Sequence, residues 1–360
     1  MATNTIDFNN PITLAQARVA IRTLGTTNTA IIKGEPGCGK STLLKMLKED
    51  MGDGYDYIYV DCPVKDIGDT VMSVPDNDRT RLTQVVSDLF MLDSPKPKVI
   101  MLDEFMKTPK LLQTMWTRLM LERTVGDHVL PVGSIVFATS NNASDGVGDS
   151  MLAHAGNRVT IYNLRKSNAA EWNAWATDND IAPEIRACVA MNPRMMASYL
   201  DGGQDDNPVI FNPARKSLSF VTGRSLAKCD PIVRNRHVLG DVLTKASLAG
   251  TIGAAAAELM SAFLSLANEL VSVKDVIADP DNVRMPEKPA ALFMMMFNAI
   301  DTIETQDELA SFMKFLNRIK SSEVQSVFFT MAMQSKRVGK LAVRNEQIKD
   351  WAKNNYELLV

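Results

Sequence analysis

The stretch Gly34-Glu35-Pro36-Gly37-Cys38-Gly39-Lys40-Ser41-Thr42 decides the fold of the first part of this 360-residue chain. Its first eight residues fit the pattern Gly-x-x-x-x-Gly-Lys-Ser/Thr, in which glycines let backbone N–H groups close around phosphate oxygens. An apolar strand, Ala30–Lys33, enters the stretch and a helical pattern leaves it, as an anion site at the start of a helix requires. A chance glycine turn would lack that context. We therefore predict a phosphate-binding loop over residues 34–42, with Lys40 reaching the β and γ phosphates and Ser41 ligating Mg²⁺.

Strand and helix patterns alternate on both sides of this loop, which predicts an α/β domain built on a five-stranded, mainly parallel sheet. The predicted strands are Ala30–Lys33, Tyr57–Val60, Val99–Leu102, Ile135–Ala138 and Val159–Tyr162. The predicted helices are Leu14–Leu24, Lys40–Glu49, Asp78–Met91 and Pro109–Glu122, and Gly126–Gly133 is predicted to be a turn or hairpin.

From Ala169 onward strand signals nearly vanish and helical periods dominate. Asp201–Lys216, rich in Gly, Asp, Asn and Pro, is the clearest internal loop, and Ala278–Pro289 interrupts two apolar helices. The methionines, such as Met294–Met296, are interpreted as flexible core filling rather than a cofactor or client groove.

Two acids end the third predicted strand, in Val99-Ile100-Met101-Leu102-Asp103-Glu104. A lone run of this kind is usually just a strand that reaches the surface. Downstream of a phosphate loop, Asp103 is expected to hold Mg²⁺ through the coordination shell of the ion. Glu104, one residue further on, is placed to accept a proton from water aimed at the γ phosphate, which favours hydrolysis over binding alone.

Polar residues also follow the fourth predicted strand, in Thr139-Ser140-Asn141-Asn142. An asparagine after a strand is usually a turn former. Beside the two earlier motifs, Asn141 is a candidate to orient the attacking water or to sense the γ phosphate, with Asn142 as the neighbouring alternative.

Composition narrows the function classes. The formal charge of −3 and the pI near 5.8 disfavour nucleic acid as a partner, although a local basic patch stays compatible with them.

The chain has four cysteines, Cys38, Cys62, Cys188 and Cys229. They form no CxxC pair and have no histidine at ligand spacing, so we expect reduced thiols in a cytosolic protein. Cys38, within the phosphate loop, is expected to be open to alkylation that disturbs ATP binding; as a free thiol it does not indicate redox chemistry. The sequence shows neither a signal peptide nor a membrane span.

The series of motifs resembles the AAA+ ATPases: a phosphate loop, Asp103-Glu104, the strand-end Asn141, and Arg158 before the fifth strand. Finer features resemble the MoxR branch, in versions often encoded by bacteria and phages. They are Arg123-Thr124-Val125-Gly126-Asp127 followed by Leu130-Pro131, the run 141–146, and Glu171-Trp172-Asn173-Ala174-Trp175-Ala176.

The resemblance implies an AAA+ module with sheet order 5-1-4-3-2, a helical lid and a helical C-terminal region. We assign these to residues 1–165, 166–240 with its loop at 201–216, and 241–360. It also implies a homo-oligomeric, hexameric ring with ATP at each interface. Arg158 would then act in trans as an arginine finger on the neighbour's γ phosphate; otherwise it is an arginine at a strand edge.

A lid arginine that contacts nucleotide in cis should follow, and the chain offers two candidates. Arg224, in Phe220-Val221-Thr222-Gly223-Arg224-Ser225-Leu226, is closer to the family's Thr-Pro-Arg-Ser pattern, with Gly223 in place of proline. Arg194, in Asn192-Pro193-Arg194, is the alternative. We prefer Arg224.

The leading hypothesis is a MoxR-like AAA+ ATPase in the cytoplasm of a bacterium or a phage-infected host, which uses MgATP to remodel or activate a protein partner. The resemblance implies a partner with a von Willebrand factor A domain, touched by Val71, Met72 and His128. A phage-type ATPase that handles DNA in replication, transposition or packaging is the alternative. A third hypothesis is a nucleotide-switched assembly protein with slow turnover.

Overall fold

The computed structural model describes residues 11–142, 157–215, 217–267 and 271–355. They form two compact units. The first ends at Lys166 and also includes Asn212–Ala214; the second comprises Ser167–Phe211 and the chain from Arg215 onward. The finer division into a lid and a C-terminal region stays a prediction.

A five-stranded parallel sheet forms the centre of the first unit. Its strands are β1 (Ala30–Lys33), β2 (Asp56–Asp61), β5 (Lys98–Asp103), β8 (Ile135–Ser140) and β9 (Thr160–Asn163). They lie in the order β2-β5-β8-β1-β9. Counted along the chain, this is the order 5-1-4-3-2 expected from the AAA+ resemblance, so the predicted fold class is confirmed.

Burial explains why the central strands form where they do. Every residue of β5 and β8 is buried, as is usual for parallel strands covered on both faces. Alternate residues face opposite sides. Ile100 and Leu102 pack with the helix α3 (Lys110–Glu122), whereas Val99 and Met101 join a cluster with residues of α1 (Leu14–Leu24) and α2 (Leu43–Met51).

Two of these helices have clear start signals. Thr13 and Gln16 form a capping box at the start of α1, each side chain accepting from the other's backbone N–H. A short 3₁₀ turn, Lys40–Thr42, precedes α2, so the helix after the phosphate loop begins later than predicted. The predicted strands and the helices α1 and α3 agree with the structure to within two residues at each end.

The predicted helix Asp78–Met91 is wrong. The chain forms an antiparallel hairpin there, β3 (Val71–Pro75) paired with β4 (Leu82–Val86), followed by a 3₁₀ turn at Asp88–Phe90. The segment Leu82-Thr83-Gln84-Val85-Val86 is rich in β-branched residues, which favour strands over helices. Asp76 accepts from the backbone N–H of Thr80 and closes the turn between the strands.

A second hairpin joins β6 (Thr124–Val125) and β7 (His128–Val129). It begins two residues before the predicted turn and turns at Gly126, whose φ is 57°. A Cβ at Gly126 would lie 2.5 Å from the end of the Gln84 side chain of β4 and 3.2 Å from Val71 of β3, so the left-handed φ and the close approach of the two hairpins both favour glycine.

The second unit is helical, as predicted. In its described residues the regular elements are α4 (Ala169–Asp178), α5 (Pro183–Met191), α6 (Gly223–Lys228), α7 (Asp230–Arg234), α8 (Arg236–Ile252), α9 (Ala254–Ala267), α10 (Val273–Ala278), α11 (Pro289–Thr302), α12 (Gln306–Arg318), α13 (Ser322–Gln334), α14 (Gly339–Ala342) and α15 (Glu346–Asn354). The described part of the predicted loop, 201–215, contains no helix, and the predicted break at Ala278–Pro289 separates α10 from α11.

Methionine and phenylalanine fill much of the core of this unit. Met294, Met295 and Met296 are each at most 1% exposed, which confirms their interpretation as core residues. A helix with apolar residues on every side, as α11 has here, is one buried on every side. Among the described residues, no helix combines the length and the apolar character that crossing a bilayer would require.

Candidate nucleotide-binding site

The loop at 34–42 joins β1 to α2, as the sequence predicts. Gly37 and Gly39 adopt φ values of 76° and 96°, a region in which a side chain is strained. The Gly34 N–H donates to the Ser140 carbonyl at 3.2 Å and so attaches the loop to the end of β8. The loop is thereby held at the carboxyl edge of the sheet, where open α/β sheets bind their ligands.

Lys40 lies inside the curve of this loop and is only 8% exposed. Its Nζ donates to the carbonyls of Gly34 and Glu35 at 2.6 and 2.9 Å, and to Asn141 Oδ1 at 2.9 Å. A buried ammonium is costly unless it is paired or hydrogen-bonded. The structure meets that requirement with oxygen atoms, the same kind of partner that phosphate offers.

The other loop residues hold its shape. Thr42 Oγ1 donates to the Gly39 carbonyl at 2.6 Å, and Pro36 precedes the two left-handed glycines. Cys38 is 5% exposed, and burial raises the pKa of its thiol. Both properties oppose the predicted alkylation of Cys38, because the reactive species is an accessible thiolate. All four cysteines are free and buried.

Asp103 ends β5 and receives hydrogen bonds from three hydroxyl groups. Ser41 Oγ and Tyr59 Oη donate to its Oδ2 at 3.3 and 2.9 Å, and Thr139 donates to Oδ1. The Glu104 backbone N–H also donates to Oδ1, at 3.2 Å. The carboxylate is 6% exposed, so these donors fix its orientation. Ser41 and Asp103, the two predicted metal ligands, are therefore together.

Glu104 follows directly, with φ 53° and ψ 33°. A non-glycine residue in this left-handed region is uncommon, and such strain concentrates at functional sites. Its Oε1 accepts from Lys107 Nζ at 2.7 Å, and the Glu104 side chain is 39% exposed. The carboxylate is accessible while it is paired with a cation.

Asn141 comes directly after β8, whose last two residues are Thr139 and Ser140. Its bond to Lys40 joins the end of β8 to the phosphate loop. The structure thus brings two hydrogen-bonded pairs to this edge of the sheet, Lys40 with Asn141 and Ser41 with Asp103, and Glu104 follows Asp103 directly. That arrangement supplies N–H donors and a cation for phosphates, and oxygen ligands for a divalent cation.

The predicted arginines belong to other elements of the chain. Arg158 is exposed in the turn before β9 and forms no ion pair within the described part of the chain. Arg224 lies on α6 of the second unit, one residue inside a helix whose N-cap is Thr222. Arg194 belongs to the 3₁₀ turn Pro193–Met196 and pairs with Asp206 at 2.9 Å. The roles assigned to these arginines stay predictions.

Sequence reasoning missed three residues of the site: Tyr59, Thr139 and Lys107. Tyr59 lies on β2, next to β5, so its proximity to Asp103 depends on the strand order. Lys107 reaches Glu104 because a turn follows β5 there. The sequence carries only a weak signal for two of these residues: Tyr59 comes near the end of the neighbouring strand, and Lys107 comes three residues after Glu104.

Comparison with known protein families gives a match in the first unit. Residues 13–108 match the family model described as novel STAND NTPase 3, which covers the phosphate loop and the Asp103-Glu104 pair. No curated protein matches the sequence.

Solved structures with some likeness include a RuvB point mutant from Thermotoga maritima, at 15% identity, TM-score 0.36 and 73% coverage of each chain. NtrX from Brucella abortus matches at 12% identity and TM-score 0.33, over 71% of this chain and 68% of that one. Its ADP complex matches at 13% identity and TM-score 0.33, over 96% and 68%. The sheet order and the geometry of the loop show an α/β P-loop fold of the AAA+ type in the first unit.

Proposed function

We propose that this protein is a ring-forming, MoxR-like AAA+ ATPase that hydrolyses MgATP and uses the energy to remodel or activate a protein partner. The observation that carries the hydrolysis is the meeting of two hydrogen-bonded pairs, Lys40 with Asn141 and Ser41 with Asp103, with Glu104 directly after Asp103. These residues come from three separate segments of the sequence, and the sheet places them at one edge.

The chemistry of the donors supports MgATP as the ligand. The loop's backbone N–H groups and Lys40 would bind the β and γ phosphates, in exchange for the carbonyl contacts that Lys40 now makes. Ser41 and Asp103 offer the oxygen ligands that Mg²⁺ prefers. When bound, Mg²⁺ would neutralise charge on the phosphate oxygens.

Hydrolysis needs a group that takes a proton from water. Glu104 fits that role because it is accessible and next to Asp103, and a side-chain base of this kind contributes about 10²–10⁴-fold to rate. Its contact with Lys107 would have to open or turn for the carboxylate to act. Asn141 would orient the water or sense the γ phosphate.

The ring supplies the remaining group. Arg158 is exposed, as a residue must be if it serves a neighbouring subunit, and arginine fingers contribute about 10³–10⁵-fold to kcat. Arg224 would sense the nucleotide from the lid. In the first unit, Met72 and His128 are exposed on the two hairpins and would touch the protein partner, in the family often one with a von Willebrand factor A domain.

Two substitutions test the site. Lys40→Ala should abolish ATP binding in a calorimetric titration, while Lys45→Ala, on the exposed side of α2, should bind normally. Glu104→Gln should retain binding and lose turnover, because an amide cannot take the proton. Glu122→Gln, an exposed carboxylate on α3, is the matched control. Normal affinity in Lys40→Ala, or normal turnover in Glu104→Gln, would contradict the proposal.

Mixing experiments test the ring. Arg158→Ala should bind ATP and hardly hydrolyse it, and adding Glu104→Gln subunits, which keep their own Arg158, should restore part of the turnover after subunit exchange. Wild-type hydrolysis should also rise with protein concentration as subunits associate. Wild-type rates in Arg158→Ala across the concentration range would reduce Arg158 to a structural residue. What co-purifies with Glu104→Gln then identifies the partner, and a salt-dependent gel shift would favour DNA instead.

A further inference from the structure

Tyr59 is a site residue outside every recognised motif. It lies on β2 opposite Met101 of β5, and its hydroxyl donates to Asp103 Oδ2 at 2.9 Å. Tyr57, two residues earlier on the same strand, instead donates to the Gly52 carbonyl at 2.8 Å. The two tyrosines share strand and face, so the contact with Asp103 is specific to Tyr59.

The two oxygens of Asp103 have different surroundings. Oδ1 accepts from Thr139 and from the Glu104 backbone N–H, both on the central strands or directly after them. Oδ2 accepts from Ser41 and Tyr59. Since Ser41 is the other candidate metal ligand, Oδ2 is the oxygen on the metal side of the carboxylate.

The two donors on Oδ2 would have different roles when a cation binds. A hydroxyl that ligates a metal uses an oxygen lone pair and keeps its O–H to donate, so Ser41 would both bind the cation and stay on Oδ2. Of the side-chain donors that contact Oδ2 in the described residues, Tyr59 would be the one that orients the carboxylate without itself binding the cation.

The geometry of Tyr59 suits a positioning role. Its phenol has one O–H to donate, and that O–H is directed at Asp103 Oδ2 at 2.9 Å. Tyr59 is 47% exposed, so removing the hydroxyl leaves no gap in the core.

We propose that Tyr59 is a positioning residue for the magnesium site: its hydroxyl holds Asp103 in the orientation that binds the cation. The inference rests on the proposed function, because it needs Ser41 and Asp103 to bind Mg²⁺ with a nucleotide. Groups that orient metal ligands typically change metal affinity about 10–100-fold when removed.

The test is a binding measurement with the whole chain. The β,γ-imido analogue of ATP is titrated by calorimetry into wild type, Tyr59→Phe and Tyr57→Phe, first with EDTA and then over a series of Mg²⁺ concentrations. Tyr59→Phe should raise the Mg²⁺ concentration for half-maximal binding enhancement about tenfold, with unchanged affinity in EDTA. Tyr57→Phe should match wild type in both.

The outcomes separate the two claims. If wild type shows no dependence on Mg²⁺, or does not bind the analogue, the proposed function itself fails. If wild type depends on Mg²⁺ and Tyr59→Phe has the same requirement or a lower one, Tyr59 has no positioning role and the proposed function stands. If Tyr59→Phe loses the same affinity for the analogue in EDTA and in Mg²⁺, the role of Tyr59 is merely structural and the inference is also overturned.

Discussion

Two regions of the molecule surround their charged groups in opposite ways. The nucleotide site of the first unit gathers Lys40, Asp103 and their hydrogen-bond partners at the edge of a sheet, where a ligand can reach them. The second buries Arg186 completely, with hydrogen bonds to Asp301 and Thr177 and with its guanidinium 5.3 Å from the centre of the Phe297 ring. We therefore expect the polar groups of the nucleotide site to serve ligand binding and those around Arg186 to serve the fold.

The largest expected effect comes from Arg186→Met. It leaves Asp301 without its main partner, and breaking a buried pair in this way costs about 3–5 kcal/mol of unfolding free energy. Burial raises the pKa of Asp301, and without Arg186 that pKa rises further, so protonation favours the folded variant and its deficit should shrink as the pH falls. Urea unfolding at several pH values measures both.

Arg234→Met is the control for Arg186→Met. Arg234 also pairs with an acid, Asp230, but is 44% exposed, so its loss should cost less than about 1 kcal/mol. Equal costs for the two variants would show that burial around Arg186 does not decide its contribution. Lost nucleotide binding by folded Arg186→Met would contradict the separation between a fold-serving and a ligand-serving region.

The methionine core should respond next. Met295 is 1% exposed, so Met295→Ala should cost about 2–5 kcal/mol through lost contacts and the cavity left behind. Met295→Leu keeps most of the volume and should cost less than about 1.5 kcal/mol. Urea unfolding midpoints of the two variants, compared with wild type, measure the difference. Similar costs would mean that side-chain shape, rather than volume, limits this core.

The first unit has its own buried cation away from the loop. Lys98 is fully buried at the start of β5 and donates to Asp56 Oδ2 at 2.6 Å. Hydrogen bonds from Lys98 and then Ser94 lower the pKa of Asp56 below its usual value. Lys98→Met should cost about 1–3 kcal/mol at neutral pH, because it removes a partner from a largely buried carboxylate.

The pH dependence gives the sign of that contribution. With a folded pKa below the unfolded one, Asp56 contributes stability above the unfolded pKa and loses it as the pH falls through the folded pKa. The difference in unfolding free energy between wild type and Lys98→Met should therefore narrow in acid. The fluorescence of Trp116 in the first unit follows the unfolding. A gap that widens in acid would show that Asp56 is not the partner that matters.

A helix cap should give the smallest effect. Thr222 caps α6 by accepting from the Ser225 N–H at 3.0 Å. Thr222→Ala should cost about 1 kcal/mol, and Thr222→Ser should restore most of it. Both are read from thermal unfolding. No loss in Thr222→Ala would mean that neighbouring contacts, rather than the cap, hold this helix.

The extent to which the sequence predicts the structure differs between these regions. The parallel strands were predictable because each is an apolar run that ends in polar or acidic residues, as Val99–Glu104 does. The phosphate loop was predictable because a local pattern specifies its backbone. The hairpin β3–β4 was missed because apolar residues at 82, 85, 86 and 89 fit a helical spacing as well as a strand, and its pairing with 71–75 is not local.

The missed site residues depend on tertiary structure. Tyr59 contacts Asp103 only because β2 lies beside β5, and Thr139 does so because β8 lies on the other side. Arg186 was not singled out for a similar reason: Asp301 lies 115 positions further along the chain. Periodicity indicates that a helix face is apolar, but not which distant side chain will compensate a charge within it.

The distribution of methionine gives this molecule a built-in set of spectroscopic reporters. The chain contains 21 methionines, and both units bury several of them, such as Met101 and Met120 in the first and Met260 and Met295 in the second. Labelling the terminal methyl groups with ¹³C would give sharp NMR signals even for a large assembly. Signals from Met101, two residues before Asp103 on β5, would report nucleotide arrival, and those from Met295 would report loosening of the helical core, in one sample and without any engineered probe.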